Sequence, residues 1–142
     1  MKKLWIFCML LAASTTLAAQ VPPVKAAIVD DEDYSKAMKE VAAQNGALRK
    51  SLASSSNVDA TAAAERLEAI FKNVQAYWEN RKAEDAITAA KTAVAASQAI
   101  SKAVAVHDAA TATTASQTLA GTCTSCHAAH RDRLTADFYK IK

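Results

Sequence analysis

The sequence contains very little glycine and proline. Its 142 residues include two glycines, Gly46 and Gly121, and two prolines, Pro22 and Pro23, which are adjacent near the start. These two residue types interrupt helices most often, so nothing after Pro23 prevents long helices. Alanine is abundant and has the highest intrinsic helix propensity. The sequence therefore predicts an all-α protein, and no strand pattern, repeat or phosphate-binding loop competes with that interpretation.

Neither sign of charge is in large excess. Seventeen Lys and Arg residues and 14 Asp and Glu residues give a formal net charge of +3. That balance is too even to indicate a nucleic-acid partner. The sequence also lacks a pairing of nucleophile and base, so we do not expect an enzyme.

The first residues have the pattern of an export signal. Lys2 and Lys3 precede an apolar stretch over residues 4–13, and Ala18 and Ala19 provide the small residues of a cleavage site. The stretch is about half the ~20 residues that a membrane span needs. We therefore predict a signal peptide over residues 1–19, which includes Cys8, and no membrane span after its removal.

Cleavage after residue 19 leaves a single domain whose net charge falls to about +1, because two lysines leave with the signal. Export from a bacterial cytoplasm predicts a periplasmic protein. Residues 20–29, with Pro22 and Pro23, read as an extended leader, and residues 30–142 form the folded domain.

Apolar residues at spacings of three and four predict four helices. The first covers about residues 31–52, the second 59–80 and the third 86–106, while the fourth follows Asp108 and runs past Leu134 and Phe138 to near the C-terminus. Short connections between long helices favour an antiparallel up-down four-helix bundle. The inward face of the first helix comprises Tyr34, Met38, Val41, Asn45, Leu48 and Leu52, and that of the second comprises Leu67, Ile70, Phe71, Val74, Tyr77 and Trp78.

The fourth helix carries Cys123-Thr-Ser-Cys126-His127, and C-x-x-C-H is the spacing of covalent haem attachment. Each thiol adds across one vinyl group of the porphyrin, and the histidine provides the proximal iron ligand. On a helix these three residues project from one face. The motif predicts haem c bound near one end of the bundle. A thiol redox pair, a disulfide, or a zinc site completed by His130 are the alternatives.

Met38 is the predicted distal ligand. It is the only methionine after the signal, and it lies on the inward face about seven residues, or ~10 Å, into the first helix. His127 lies about eleven residues, or ~16 Å, before the predicted end of the fourth helix, which gives the two residues similar heights. A methionine that only fills a gap in the core is the alternative.

Other polar residues near the motif have weaker assignments. His130 lies on the same side as His127, so we expect a supporting or surface role. His107 reads as a solvated residue of the turn between the third and fourth helices. Arg131 is a candidate for pairing with a haem propionate through its guanidinium, whereas Arg133 reads as an exposed arginine.

A haem motif on the last of four helices resembles the class II cytochromes c, the cytochrome c′ family. In that family C-x-x-C-H is followed by an aromatic residue and then Arg, and here Ala-Ala-His130-Arg131 follows His127, with His130 in the place of the aromatic. The resemblance covers about residues 30–135. It extends to Tyr34-Ser-Lys-Ala-Met38-Lys and Trp78, although Tyr34 stands where the family usually has Arg.

The resemblance implies two behaviours. Members with a distal methionine are low-spin electron carriers, and members with a bulky apolar residue there bind NO and CO at an open site. Met38 places this chain with the first group, so we expect a periplasmic carrier of single electrons that serves redox partner proteins. A gas-binding protein is the alternative, and a secreted helical bundle without haem is a third. The family also implies homodimers.

Overall fold

The computed structural model describes residues 27–135 and 139–142. The predicted signal peptide, most of the predicted leader and Phe138 lie outside these residues. Within the described part of the chain, no helix combines the length and the apolar character that crossing a membrane requires.

Four helices make up most of the described chain. They are α1 (Asp31–Ala53), α2 (Asn57–Arg81), α3 (Glu84–Ala105) and α4 (Ala109–His130). The prediction of an all-α helical bundle is confirmed, and the first three helices begin and end within a few residues of the predicted positions.

Side-chain caps explain where α1 and α4 begin. The Asp30 side chain accepts a hydrogen bond from the Asp33 N–H at 2.8 Å, and Asp108 caps α4 in the same way through the Thr111 N–H at 3.0 Å. A capping carboxylate satisfies an amide that the helix leaves without a partner and lies favourably in the field of the helix dipole.

The turns after α1, α2 and α3 contain residues in the left-handed conformation, namely Ser55, Lys82 and His107, with φ between 56° and 58°. Glycine usually occupies such positions because its lack of a Cβ removes the steric penalty. The scarcity of glycine therefore has a structural cost at all three turns.

The packing of the helices is uneven. Contacts are extensive between α1 and α2, between α2 and α3, and between α3 and α4, but α1 and α4 contact each other at few points. The core is built on a small number of large side chains, of which Leu48, Leu67, Trp78, Ile100 and Leu119 are almost completely buried. Alanines fill much of the remaining interior.

The predicted inward faces agree with the observed burial. All six apolar residues named for α2 are buried. On α1, Tyr34, Val41 and Leu48 are buried, while Met38 and Leu52 are half-buried and pack against the core.

Polar contacts join the ends of consecutive helices. The Tyr77 hydroxyl near the end of α2 donates to Asp31 at the start of α1 over 2.6 Å. At the other end of α2, the Asn57 side chain lies 2.6 Å from the His107 ring, in the turn between α3 and α4.

The prediction for the end of the fourth helix was wrong. α4 ends at His130, and strands β1 (Arg131–Arg133) and β2 (Tyr139–Ile141) follow as an antiparallel pair with Arg131 opposite Ile141. The Lys142 N–H bonds to the His130 carbonyl at 3.1 Å, which gives an orphan carbonyl at the helix end a partner. Leu134, expected on the helix, is 61% exposed.

We expect Lys82→Gly to raise the free energy of unfolding by about 0.5–1 kcal/mol, because glycine adopts the left-handed conformation without the Cβ penalty. Lys91→Gly, at an exposed position inside α3, should lower it by about 1 kcal/mol. Urea unfolding of both variants measures the two effects. Equal destabilisation by both would contradict the assigned strain at Lys82.

Candidate functional site

An apolar cleft of about 190 Å³ lies among the four helices near the C-terminal end of α4. Every helix contributes to its wall. The lining residues are Tyr34, Met38, Val41, Ala42 and Asn45 from α1, Phe71 and Val74 from α2, Ala86, Ala89 and Ala90 from α3, and Thr122, Cys123, Cys126 and His127 from α4.

Small side chains explain why this space remains. Protein interiors normally pack without voids of this size. Here the contribution of α3 consists of Ala86, Ala89 and Ala90, which reach only a short distance toward the facing helices. Since α1 and α4 also make few contacts with each other, the interior stays open along the seam between them.

The structure places Cys123, Cys126 and His127 together on the cleft wall, near the end of α4. All three are half-buried, and the Cys123 thiol lies 3.4 Å from the Leu119 carbonyl, to which it donates. Spacings of three and four residues on a helix account for this shared direction. Both cysteines are free thiols.

The cleft favours the neutral forms of these groups. Burial raises the pKa of the Cys123 and Cys126 thiols. Burial, together with the nearby Arg131 charge, lowers the pKa of His127. At neutral pH the motif therefore presents two protonated thiols and a neutral imidazole, which is the form of histidine that binds a metal.

Met38 lines the same cleft from α1 and is half-buried. The prediction that Met38 and His127 lie at similar heights used the wrong end for α4. His127 lies three residues before the end of α4, not about eleven, because the helix stops at His130. The cleft still brings Met38 and the Cys123–His127 motif together, since its lining extends over about three turns of α1, from Tyr34 to Asn45.

Arg131 lies at the junction between α4 and the hairpin. Its guanidinium stacks over the Tyr139 ring at 3.3 Å from the centroid, and its Nη1 lies 3.4 Å from His127 Nδ1. A guanidinium can only donate, so His127 accepts at Nδ1 in this contact. Arg133 instead donates to the Thr135 carbonyl at 3.2 Å.

His130 is directed away from the cleft. Its ring packs on the Trp78 ring with centroids 4.7 Å apart, and its Nε2 lies 2.8 Å from a carboxylate oxygen of Asp85. These contacts fix the last turn of α4 to α2 and α3. In the described residues, no group of three or more His, Cys, Asp and Glu side chains could hold a metal ion, so His130 does not complete a zinc site with the two cysteines.

An aromatic cluster of Tyr34, Tyr77 and Trp78 connects this contact to the cleft. Trp78 Nε1 donates to the Tyr34 hydroxyl at 3.1 Å, and the Tyr34 and Tyr77 centroids are 4.5 Å apart. Burial raises the pKa of Tyr34 to about 12, which keeps this part of the wall uncharged. Sequence reasoning placed these residues on inward faces but missed their link to His130, because periodicity does not report contacts between distant residues.

His107, predicted to be a solvated turn residue, is exposed at the other end of α4. It lies outside the cleft lining, and the structure gives it no part in the candidate site.

The residues of the cleft fit the group that the C-x-x-C-H motif predicts. Two thiols, an imidazole and a thioether converge on an apolar space, which is the donor set of a covalently attached haem with two axial ligands. The cleft is smaller than pockets that enclose a whole cofactor. The cleft lies beside the seam between α1 and α4, where the two helices make few contacts.

Comparisons of this chain with protein-family models, curated proteins and solved structures find no match.

We expect His130→Ala to lower the free energy of unfolding by about 0.5–1.5 kcal/mol, mainly because it removes the aromatic contact with Trp78, while the hydrogen bond to the exposed Asp85 contributes less. His130→Phe keeps the ring on Trp78 and should cost less. His107→Asn, a control in the exposed turn at the other end of α4, should have the smallest effect. Urea unfolding ranks the three, and a different order would contradict the role assigned to His130.

The contact also has a pH signature. The hydrogen bond from His130 holds the pKa of Asp85 below its usual value. A depressed folded-state pKa stabilises the fold above the unfolded pKa near 3.9, and this contribution is lost as the pH falls through the folded value. In His130→Phe we expect the Asp85 pKa to rise.

Carbon NMR of the carboxyl groups measures this shift. Asp108 is the internal control, because its lowered pKa comes mainly from the Thr111 hydroxyl and N–H and should not change. An unchanged Asp85 pKa in the variant would show that His130 is not the cause.

Proposed function

We propose that this protein is a c-type cytochrome that carries single electrons. Cys123 and Cys126 anchor the haem, His127 is the proximal iron ligand and Met38 is the distal ligand. One observation carries the proposal: the sulfur atoms and the imidazole that this role needs all belong to residues of one apolar cleft.

Cys123 and Cys126 would fix the position of the haem. They lie on consecutive turns of the α4 face that lines the cleft, so two thioether bonds would fix a porphyrin against α4 without help from the rest of the fold. Each thiol would supply both the sulfur and the proton that addition across a vinyl group requires.

His127 supplies the ligand lone pair. In the present contact its Nδ1 accepts from Arg131, which leaves the ring proton on Nε2. If Nε2 of His127 binds the iron, the ring proton must lie on Nδ1. A protonated Nδ1 cannot accept a hydrogen bond from the Arg131 guanidinium. Arg131 would then be released from His127 and available for a propionate, which supports its assignment as a propionate contact.

The distal side of the cleft is lined mainly by apolar side chains. Met38 is accompanied by Val41, Phe71 and Val74, and no carboxylate, lysine or arginine belongs to the lining. Bound haem supplies a one-electron Fe(III)/Fe(II) couple, whose potential a thioether ligand and a buried site raise. The apolar wall and Met38 therefore favour the reduced state.

The wider predictions belong to the same proposal. The contacts of Tyr77 with Asp31 and of Asn57 with His107 support an up-down antiparallel order of the helices. The N-terminal pattern supports export to the periplasm, where the protein would exchange electrons with redox partners rather than turn over a substrate. The arrangement also supports the resemblance to class II cytochromes c.

Optical spectroscopy of the protein, expressed with a c-type haem attachment system, tests this function. We expect haem that remains bound on a denaturing gel, and low-spin spectra in both oxidation states that CO changes little. Met38→Ala should become high-spin and bind CO rapidly. Val41→Ala, on the same wall but without sulfur, is the control and should retain the low-spin spectra.

The outcomes separate the alternatives. Rapid CO binding by the unaltered protein would replace electron transfer with gas binding. Unchanged spectra in Met38→Ala would remove Met38 from the ligand set. Absence of bound haem, with Cys123→Ala and Cys126→Ala behaving like the unaltered protein, would refute the proposal.

A further inference from the structure

The hairpin after α4 differs in charge from the rest of the folded chain. Residues 131–142 contain four basic and two acidic residues, a net charge of +2, whereas residues 27–130 contain ten basic and twelve acidic residues, a net charge of −2. Arg131, Arg133 and Lys140 are exposed. Asp132, the acidic residue of β1, is paired with Lys142 at 3.0 Å.

The same hairpin exposes large apolar side chains. Leu134 is 61% exposed and Tyr139 is 41% exposed, although both are of a size that is usually buried. Tyr139 is held under the Arg131 guanidinium at 3.3 Å. Aromatic and arginine side chains surrounded by charged residues are typical of protein interfaces, where Tyr and Arg are enriched. We call Arg131, Arg133, Leu134, Tyr139 and Lys140 the hairpin surface.

The hairpin surface is in direct contact with the candidate site. β1 begins at the residue after α4, and Arg131 reaches both the Tyr139 ring on the hairpin and the His127 ring on the cleft wall. A partner that covers this surface therefore lies next to the end of α4 that carries His127. An isolated two-stranded hairpin is only marginally stable. Stability therefore does not explain why this hairpin exposes large apolar side chains and carries a net positive charge.

We propose that the hairpin surface is the docking site of a redox partner protein with an acidic surface. This inference rests on the proposed electron-transfer function. Positive charge against an acidic partner raises the association rate, while Leu134 and Tyr139 provide the apolar contact. The small area indicates a transient complex, as is usual for electron-transfer encounters.

Electron exchange with a small anionic reagent tests where electrons enter and leave. Each event moves one electron from the reduced protein to hexacyanoferrate(III), which becomes hexacyanoferrate(II), and no bond forms or breaks. The rate is measured by stopped flow at rising ionic strength, with poly-L-glutamate added in a second series as an acidic polypeptide that competes for the docking site.

Two double variants of equal net charge test whether the electron-exchange rate depends on the position of the removed charges. Arg133→Gln with Lys140→Gln removes two charges from the hairpin surface, and Lys91→Gln with Lys102→Gln removes two exposed charges from α3. At low salt we expect the rate of the hairpin variant to fall about three- to tenfold. The α3 variant should stay close to the unaltered protein, and the difference should disappear near 0.5 M salt because of screening.

Poly-L-glutamate should slow exchange in the unaltered protein and in the α3 variant but not in the hairpin variant. Equal rates in the two variants, or equal inhibition of both, would overturn the inference while leaving the proposed function intact. Failure to incorporate haem is seen first in the spectra and concerns the proposed function alone. Hairpin-dependent binding to phosphatidylglycerol vesicles, without a poly-L-glutamate effect, would replace the protein partner with a membrane surface.

Discussion

The fold depends on how alanine packs. Alanine lets helices approach closely and adds helix propensity, but it fills little volume. Between α2 and α3 this produces a tight contact, whereas between α1 and α4 it leaves the cleft floored by Ala86, Ala89 and Ala90. The abundance of alanine thus accounts both for the close packing of α2 with α3 and for the cleft that Cys123, Cys126 and His127 line.

The cleft also determines the protonation states of the side chains that line it. Side chains on the cleft wall are shielded from water, so the two thiols and Tyr34 stay protonated and His127 stays neutral. Charged groups are found outside the wall, where Asp85 pairs with His130, and Asp31 accepts from Tyr77 and pairs with Arg81. The cleft wall is therefore uncharged at neutral pH, and the ion pairs lie at its edge.

The sequence predicted the parts that local patterns determine. The positions of the helices and the shared face of Cys123, Cys126 and His127 follow from periodicity and spacing, and the burial of Trp78 follows from its place on the α2 face. The contact of His130 with Trp78 and Asp85 joins residues about 45 positions apart, which no local pattern encodes. The sequence did not predict the hairpin, because residues 131–141 contain no glycine or proline, the residues that usually mark the end of a helix.

The Lys142 amide that caps the His130 carbonyl sets an order of assembly. A chain made from its N-terminus acquires this cap only after β2 has been synthesised. Until then the end of α4 that carries Cys126 and His127 lacks this partner for the His130 carbonyl. The short hairpin therefore completes a helix end that also forms part of the cleft wall.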